Sequence, residues 1–211
     1  MADDLKYGYK GAEPTQSFGN NTGVFDPNDI NNLIADNKWT SFGQLELIET
    51  QTYLGAVSYV DFTSISESSY NVHFMTFSKL TTGASSHQHR IQFYESGVLE
   101  TANVYDYAFQ YGSVTGSFGD ANRGTNTQLA IENTGSEGIS QNGYLYFYNL
   151  GDSSKYSFLT HHNFSDRTGA DIFTFGSGVM KQSSTVDGIR LLTTSGNFTD
   201  FDISLYGIAE S

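Results

Sequence analysis

Two short histidine motifs are the first places where this sequence could bind a metal ion. His87 and His89 are two residues apart, a spacing that puts both imidazoles on one face of a β-strand, whereas the adjacent His161 and His162 diverge. No acidic third ligand lies at short spacing from His87 and His89, and small polar residues precede them. The sequence therefore favours a polar hairpin that leads into a strand, and whether His87 and His89 bind a metal stays open.

Acidic residues offer a second kind of chemistry, because glycoside hydrolysis needs two carboxyl groups about 5 to 10 Å apart in one cleft. Glu46 and Glu49 are three residues apart on a predicted strand and point to opposite faces, whereas Asp200 and Asp202 share a face. A solvated strand edge accounts for Asp200 and Asp202 better than catalysis does. The chain also has no G-x-S-x-G motif and no cysteine. We therefore assign no catalytic, cofactor-binding or metal-binding residue, and we predict a protein that is not an enzyme and uses no cofactor.

The charge of the chain narrows the choice of partners. Its 211 residues include 10 Lys and Arg against 23 Asp and Glu, a formal charge of −13 that repels phosphate backbones and anionic lipids. Even the apolar run at 144–148 is far shorter than the roughly 20 residues that cross a bilayer. The first residues lack a basic region followed by an apolar run. We therefore predict no nucleic-acid partner, no membrane insertion, no signal peptide and synthesis in a cytoplasm.

Period-2 alternation dominates the chain after residue 43 and predicts β-strands. Leu45 and Leu47, for example, alternate with glutamates, and turn pairs such as Ser96-Gly97 separate many of the candidate strands. Further predicted strands lie at 57–62, 89–95, 103–110, 126–132, 143–150, 156–163, 170–175, 178–183, 187–194 and 201–208. No repeated propeller blade is present. We predict an all-β domain over 44–211, an antiparallel two-sheet sandwich with jelly-roll-like connections.

Two of the predicted strands carry aromatic residues on both faces. They are the run from Tyr70 to Phe77 and the run from Tyr144 to Tyr148. A strand that is apolar on both sides is normally covered on both sides. This pattern predicts that a second subunit or a docked arm covers these strands.

Residues 1–43 have no strand period, and we interpret them as an extended N-terminal arm with one short helix. The helix is predicted at about 27–37, because Asp26 can cap it, Pro27 suits its first position and the following apolar residues have helical spacing. The candidate assembly residues are the aromatic residues of the arm, Tyr7, Tyr9, Phe18, Phe25 and Trp39. Each buried aromatic side chain contributes on the order of 2 kcal/mol, which offsets the ordering of an arm only against an apolar surface. We expect residues 1–40 to contact another chain.

Three segments of the chain carry a resemblance to known proteins. The first runs from Phe18 to Phe25 and continues into the helix and Trp39, and the second runs from Leu45 to Thr52 and on to Tyr70. The third comprises 187–191, 195–198 and the closing strand 203–208. Together they resemble structural proteins, of the fibre or decoration type, in the particles of tailed bacteriophages, particularly marine phages. Members usually have a small residue, often Gly, before the last strand, where this chain has Asp200-Phe201-Asp202.

This resemblance implies a non-enzymatic component of the virion, either a tail fibre, a tail accessory protein or a capsid decoration protein, that docks through its N-terminal arm. The partners it implies are other virion proteins and further copies of the chain, with a trimer favoured. The alternative function is a carbohydrate-binding β-sandwich module for host-surface glycans, because exposed Tyr, Asn and Asp side chains can stack on and hydrogen-bond a sugar.

Overall fold

The structure is a computed structural model that describes residues 27–35, 45–53, 55–132, 140–166 and 171–209. Its helix belongs to one compact unit of the chain and its strands belong to a second. The helix, α1, spans Pro27–Ala35 and has the predicted proline in its first turn. The predicted extension of α1 to residue 37 lies outside the described residues. Among the described residues, no helix is both long and apolar enough to cross a membrane.

The five aromatic residues of the predicted arm lie outside the described residues. They are Tyr7, Tyr9, Phe18, Phe25 and Trp39. Their role in assembly therefore stays a prediction.

The second unit is built from antiparallel strands in two sheets. The described strands are β1 (Leu45–Thr52), β2 (Tyr59–Phe62), β3 (Val72–Thr82), β4 (His89–Glu95), β5 (Val98–Leu99), β6 (Tyr105–Ser113), β7 (Phe118–Asn126), β8 (Leu129–Ala130), β9 (Gln141–Tyr148), β10 (Tyr156–Ser165), β11 (Ile172–Ser183), β12 (Gly188–Thr193) and β13 (Phe198–Ile208). The large sheet has the order β1-β13-β3-β9-β10-β11-β6-β7, and the small sheet has the order β2-β12-β4-β5, with β8 also paired to β4. The predicted all-β class with two antiparallel sheets is confirmed. The jelly-roll connectivity stays a prediction.

The hydrophobic core lies between the inner faces of the two sheets. Phe93 of the small sheet meets Phe147 of the large sheet edge-to-face, with ring centroids 6.0 Å apart. Fully buried members of the core include Phe62, Ile91, Ile189 and Leu191 from the small sheet and Met75, Leu145, Ile203 and Leu205 from the large sheet. Each such side chain contributes about 1.5 to 3 kcal/mol by leaving water. This burial fixes which face of each strand points inward.

One long strand replaces two predicted ones. The predicted strands at 170–175 and 178–183 form the continuous β11, which passes through Gly176. A Cβ atom at Gly176 would collide with Phe109 on the neighbouring β6. The glycine therefore marks a close approach of two strands inside the sheet and not a turn.

The sequence pattern did not predict the edge strand β7. Its sequence, FGDANRGTN, has no alternation of apolar and polar residues, and most of its side chains are exposed. Backbone pairing with β6 holds it at the edge of the large sheet, where no apolar face is required. The strand predicted at 126–132 is correspondingly short, because only Leu129–Ala130 pairs with β4.

The predicted turn at Ser96-Gly97 joins β4 to β5 as a two-residue hairpin. Glu95 pairs with Val98, and the two turn residues have φ values of 52° and 73°. Two consecutive positive φ angles match the twist of the flanking strands, and glycine adopts such an angle without steric cost.

Candidate functional site

The outer face of the large sheet carries a continuous group of aromatic side chains. Strands β3, β9, β10 and β11 lie side by side there, and their residues alternate between inward and outward positions. The outward aromatic residues are Phe74, Tyr144, Tyr146, Tyr148, Phe158, Phe164, Phe173 and Phe175. We call this group the aromatic face.

Strand register brings these rings into contact across the sheet. His162 of β10 lies opposite Tyr144 on one side and Phe175 on the other. Ring centroids are 4.7 Å apart for Phe74 and Tyr146, and 5.8 Å apart for Tyr144 and His162. Such cross-strand ring pairs fix one another in tilted and edge-to-face arrangements. The aromatic face is therefore an ordered surface built on the centre of a sheet.

Four of the eight rings of the aromatic face are exposed to solvent, and the other four are partly buried. Tyr144 is 39% exposed, Phe158 is 42% exposed, and Phe164 and Phe175 are each 46% exposed. Contiguous exposed apolar surface of this kind marks an interaction site more often than isolated apolar residues do. Both runs predicted to be aromatic on two sides contribute to this face, through Phe74 and through 144–148. The subunit or arm expected to cover them stays a prediction.

The centre of this face contains no permanently charged side chain, although the chain is strongly acidic. No Asp, Glu, Lys or Arg occurs at 72–76, 142–148, 158–164 or 173–179, the segments that form the centre. Charged residues begin at its borders, where they form ion pairs. Lys79 contacts Asp202 at 2.9 Å, and Lys181 contacts Asp106 at 2.6 Å. Two cations at the borders are thus paired within the chain, and the centre has no permanent charge.

A shallow depression of about 500 Å³ runs along the aromatic face. It is lined by Tyr144, Tyr146, Tyr148, Thr160, His161, His162, Phe173 and Phe175. The hydroxyl of Thr160 and the imidazole of His162 provide hydrogen-bonding groups between the rings. A depression of this volume and composition suits a small ligand or a side chain of a partner protein.

The predicted histidine pair forms a second candidate site, which is buried between the sheets. His87 and His89 both point inward, and their ring centroids are 4.9 Å apart. Glu132 adds a buried carboxylate, and candidate ligand atoms of all three residues lie within 4.8 Å of one another. Glu132 could not be found from short sequence spacing, because 43 residues separate it from His89. Strands β4 and β8 pair, with Arg90 opposite Ala130, and this pairing places Glu132 next to His89.

Hydrogen bonds hold the Glu132 carboxylate in place. Its Oε1 accepts a bond of 2.6 Å from the backbone N–H of His89, and its Oε2 accepts one of 2.6 Å from the side chain of Gln141. Burial by itself raises the pKa of Glu132, but the interactions with His89 and then His87 outweigh it and hold the pKa below its ordinary value. Glu132 is therefore an ionised carboxylate inside the protein at neutral pH.

His161 and His162 point to opposite faces of the large sheet, as their adjacency predicts. His161 is buried against Phe109, and neither of its ring nitrogens has a hydrogen-bond partner. Burial, together with the nearby His162, lowers the pKa of His161 to about 4. His162 belongs to the outer surface beside Tyr144. The pair therefore does not converge on one metal ion.

The carboxylates considered for catalysis have local partners. Asp202 pairs with Lys79, Glu46 accepts a hydrogen bond of 2.6 Å from the Tyr70 hydroxyl, and Glu49 accepts one of 2.8 Å from Gln51. Asp200 is exposed beside Asp202 at the bulged start of β13. Asp200 and Asp202 are accessible to solvent, but they do not lie on a sheet edge, because β13 pairs with β1 on one side and with β3 on the other.

Comparison of the chain with models of protein families, with curated proteins and with solved structures finds no match.

Proposed function

We propose that this chain is a non-enzymatic structural protein of a tailed-bacteriophage particle, and that it assembles through the aromatic face of its large sheet. The observation that supports this proposal most strongly is the exposed and uncharged centre of that face in a chain of formal charge −13. Two copies of such a chain repel each other wherever acidic residues face each other. The aromatic face lets a second copy approach without that cost, so a homo-oligomer is the expected assembly.

The resemblance of the sequence to phage structural proteins supports the same function. It favours a trimer and a location in the virion, on the tail or on the capsid surface. The N-terminal arm, with Tyr7, Tyr9, Phe18, Phe25 and Trp39, is the second assembly element of this proposal. Burial of aromatic rings between subunits stabilises the contact by about 25 cal/mol for each Å² of apolar surface removed from water. A surface with many half-exposed rings therefore suits a permanent contact in a particle.

Mass spectrometry of purified phage particles tests this function. We expect the chain at a fixed stoichiometry relative to the main particle proteins. The paired substitution Tyr144→Thr with Phe175→Thr removes two exposed rings and keeps residues that favour strands, so we expect the chain to be lost from particles. Val98→Ser, which removes an exposed apolar side chain of the small sheet, is the matched control and should still be incorporated. Absence of the unaltered chain from particles contradicts the proposal.

A carbohydrate-binding module is the second candidate function. Its specific support is the depression on the aromatic face, where the Thr160 hydroxyl and the His162 imidazole lie between aromatic rings. Aromatic rings stack on the apolar faces of sugars, and neighbouring polar groups bind their hydroxyls. Retention of the isolated chain on specific glycans of an array, lost in the Tyr144→Thr and Phe175→Thr variant, favours this function. Retention on no glycan, together with a fixed place in particles, rejects it.

A further inference from the structure

The buried cluster of His87, His89 and Glu132 combines two residue types, histidine and glutamate, that bind transition metals in proteins. His87 lies just before β4, His89 is the first residue of β4, and Glu132 follows β8. All three are at least 97% buried, with exposed fractions of 1%, 1% and 3%. We propose that these three side chains form a binding site for one zinc(II) ion.

The hydrogen bonds of His87 orient its ring for metal binding. Its Nδ1 lies 2.7 Å from the carbonyl oxygen of Ala84. A carbonyl only accepts hydrogen bonds, so Nδ1 carries the proton and the neutral ring has its lone pair on Nε2. Metal-bound histidines commonly donate their second ring N–H to a carbonyl in this way.

His89 has a corresponding arrangement with its two nitrogens exchanged. Its Nε2 lies 3.0 Å from the Thr82 hydroxyl, which can accept the proton of that nitrogen. Its Nδ1 lies 2.8 Å from Oε1 of Glu132 and 2.8 Å from Oε1 of Gln141. Nδ1 without a proton and these two oxygens are all acceptors, so a proton or a cation has to lie among them. A zinc ion in that position binds the ring and the carboxylate together, and any proton that it displaces from Nδ1 goes to solvent.

The set of donor atoms selects the class of ion. Two imidazole nitrogens and one carboxylate oxygen suit zinc(II), whereas calcium and magnesium prefer sites made of oxygen atoms. The Gln141 carbonyl oxygen or a water molecule can supply a fourth ligand. The formal charge of the Glu132 carboxylate offsets part of the charge of the ion in this buried position. A chain without cysteine has to build a zinc site from such ligands.

The position of the cluster gives the ion a structural role. His89 and Glu132 are 43 residues apart in the sequence. One ion bound to both residues would join the first residue of β4 to the segment after β8, and His87 would add the segment before β4. Binding of an ion to the folded state alone raises the stability of the fold by mass action.

Metal analysis of the full chain tests the site. The chain, without an affinity tag, is stripped with a chelator, incubated with zinc chloride and freed of excess metal before elemental analysis. We expect about one zinc per chain and a thermal unfolding temperature that rises with zinc concentration. His87→Gln and Glu132→Gln should lose the bound zinc, and Thr82→Val should weaken zinc binding by about tenfold or more because it removes the hydroxyl that hydrogen-bonds Nε2 of His89. His162→Gln, which alters the exposed histidine of the aromatic face, is the matched control and should bind zinc as the unaltered chain does.

Measurements on the unaltered chain keep the test decisive if a variant fails to fold. X-ray absorption at the zinc edge should then show imidazole nitrogen and oxygen neighbours at about 2.0 to 2.2 Å, with no sulfur. A folded chain that retains no zinc, or that retains it equally in His87→Gln, overturns the proposal and assigns the cluster to hydrogen bonding alone.

Discussion

The outer faces of the two sheets differ in the side chains that they expose to solvent. On the small sheet, the guanidinium of Arg190 makes two hydrogen bonds of 2.7 Å with Asp61, one to each carboxylate oxygen. The hydroxyl of Tyr94 bonds to the same carboxylate at 2.7 Å, and Arg190 lies 3.7 Å above the ring of Tyr59. On the large sheet, the aromatic face has exposed rings and no permanent charge at its centre.

This difference indicates which surface is complete within one chain. A bidentate Arg–carboxylate pair that is stacked on an aromatic ring satisfies its donors, acceptors and charges locally. Exposed rings cannot be satisfied by a local partner of this kind, because only contact with another molecule removes them from water. The small sheet therefore satisfies its charged groups within one chain, although Tyr59 and Val98 stay exposed on it, whereas the group of neighbouring rings on the large sheet presents a surface for association.

The inner face of the large sheet differs from both outer faces because it is buried. It carries His161, whose protonation depends on this burial. The ordinary histidine pKa is 6.5, whereas burial and His162 lower the pKa of folded His161 to about 4; Glu132 acts weakly in the other direction. The unfolded chain therefore binds the proton at higher pH than the folded chain does. The contribution of neutral His161 to stability is complete above pH 6.5 and is lost as the pH falls from 6.5 towards 4.

We predict that protonation of His161 lowers the folding stability by roughly 3 kcal/mol between pH 7 and pH 4, at about 1.36 kcal/mol for each pKa unit. In His161→Leu, which cannot take up a proton, the stability should fall less over the same range by about that amount. Urea unfolding at several pH values measures both curves. Parallel curves for the two chains would show that His161 does not resist protonation in the fold.

The ion pair of the small sheet should have the next largest effect. Asp61→Asn keeps the shape of the side chain but removes the charge that Arg190 and the Tyr94 hydroxyl contact. We expect a loss of about 2 kcal/mol of folding stability at pH 7, since hydrogen bonds to charged groups are stronger than neutral ones and the pair is only partly exposed. Chemical denaturation measures the loss. The oligomeric state should not change, and a dissociated but stable Asp61→Asn chain would contradict the contrast between the two faces.

The smallest effect on folding is expected on the aromatic face. Tyr144→Thr and Phe175→Thr each remove a ring that is already about two-fifths to half exposed, so less burial is lost within one chain than at a fully buried position. We predict a cost of about 1 to 2 kcal/mol for each substitution, from the partial burial and the lost cross-strand contacts. Thermal unfolding of dilute protein measures it. A cost of several kcal/mol for either substitution would show that these rings belong to the core of a single chain.

The contrast between the sheets could be read only in part from the sequence. Aromatic residues at consecutive positions, as in 144–148, predicted that both sides of a strand are apolar, because strand side chains alternate. The pairing of Asp61 with Arg190 could not be predicted, since 129 residues separate them and only strand register brings them together. Glu132 was missed for the same reason. Strand β7 was missed because an edge strand that is held by backbone pairing needs no apolar pattern.

Sedimentation velocity of the isolated chain tests the association surface most directly. At neutral pH the unaltered chain should sediment as a discrete oligomer, and the Tyr144→Thr and Phe175→Thr variant should sediment as a folded monomer at the same concentration. Asp61→Asn and Val98→Ser should remain oligomeric, because they alter the small sheet. A monomeric unaltered chain, or an oligomer that survives the loss of both rings, would contradict the assignment of the aromatic face as the assembly surface.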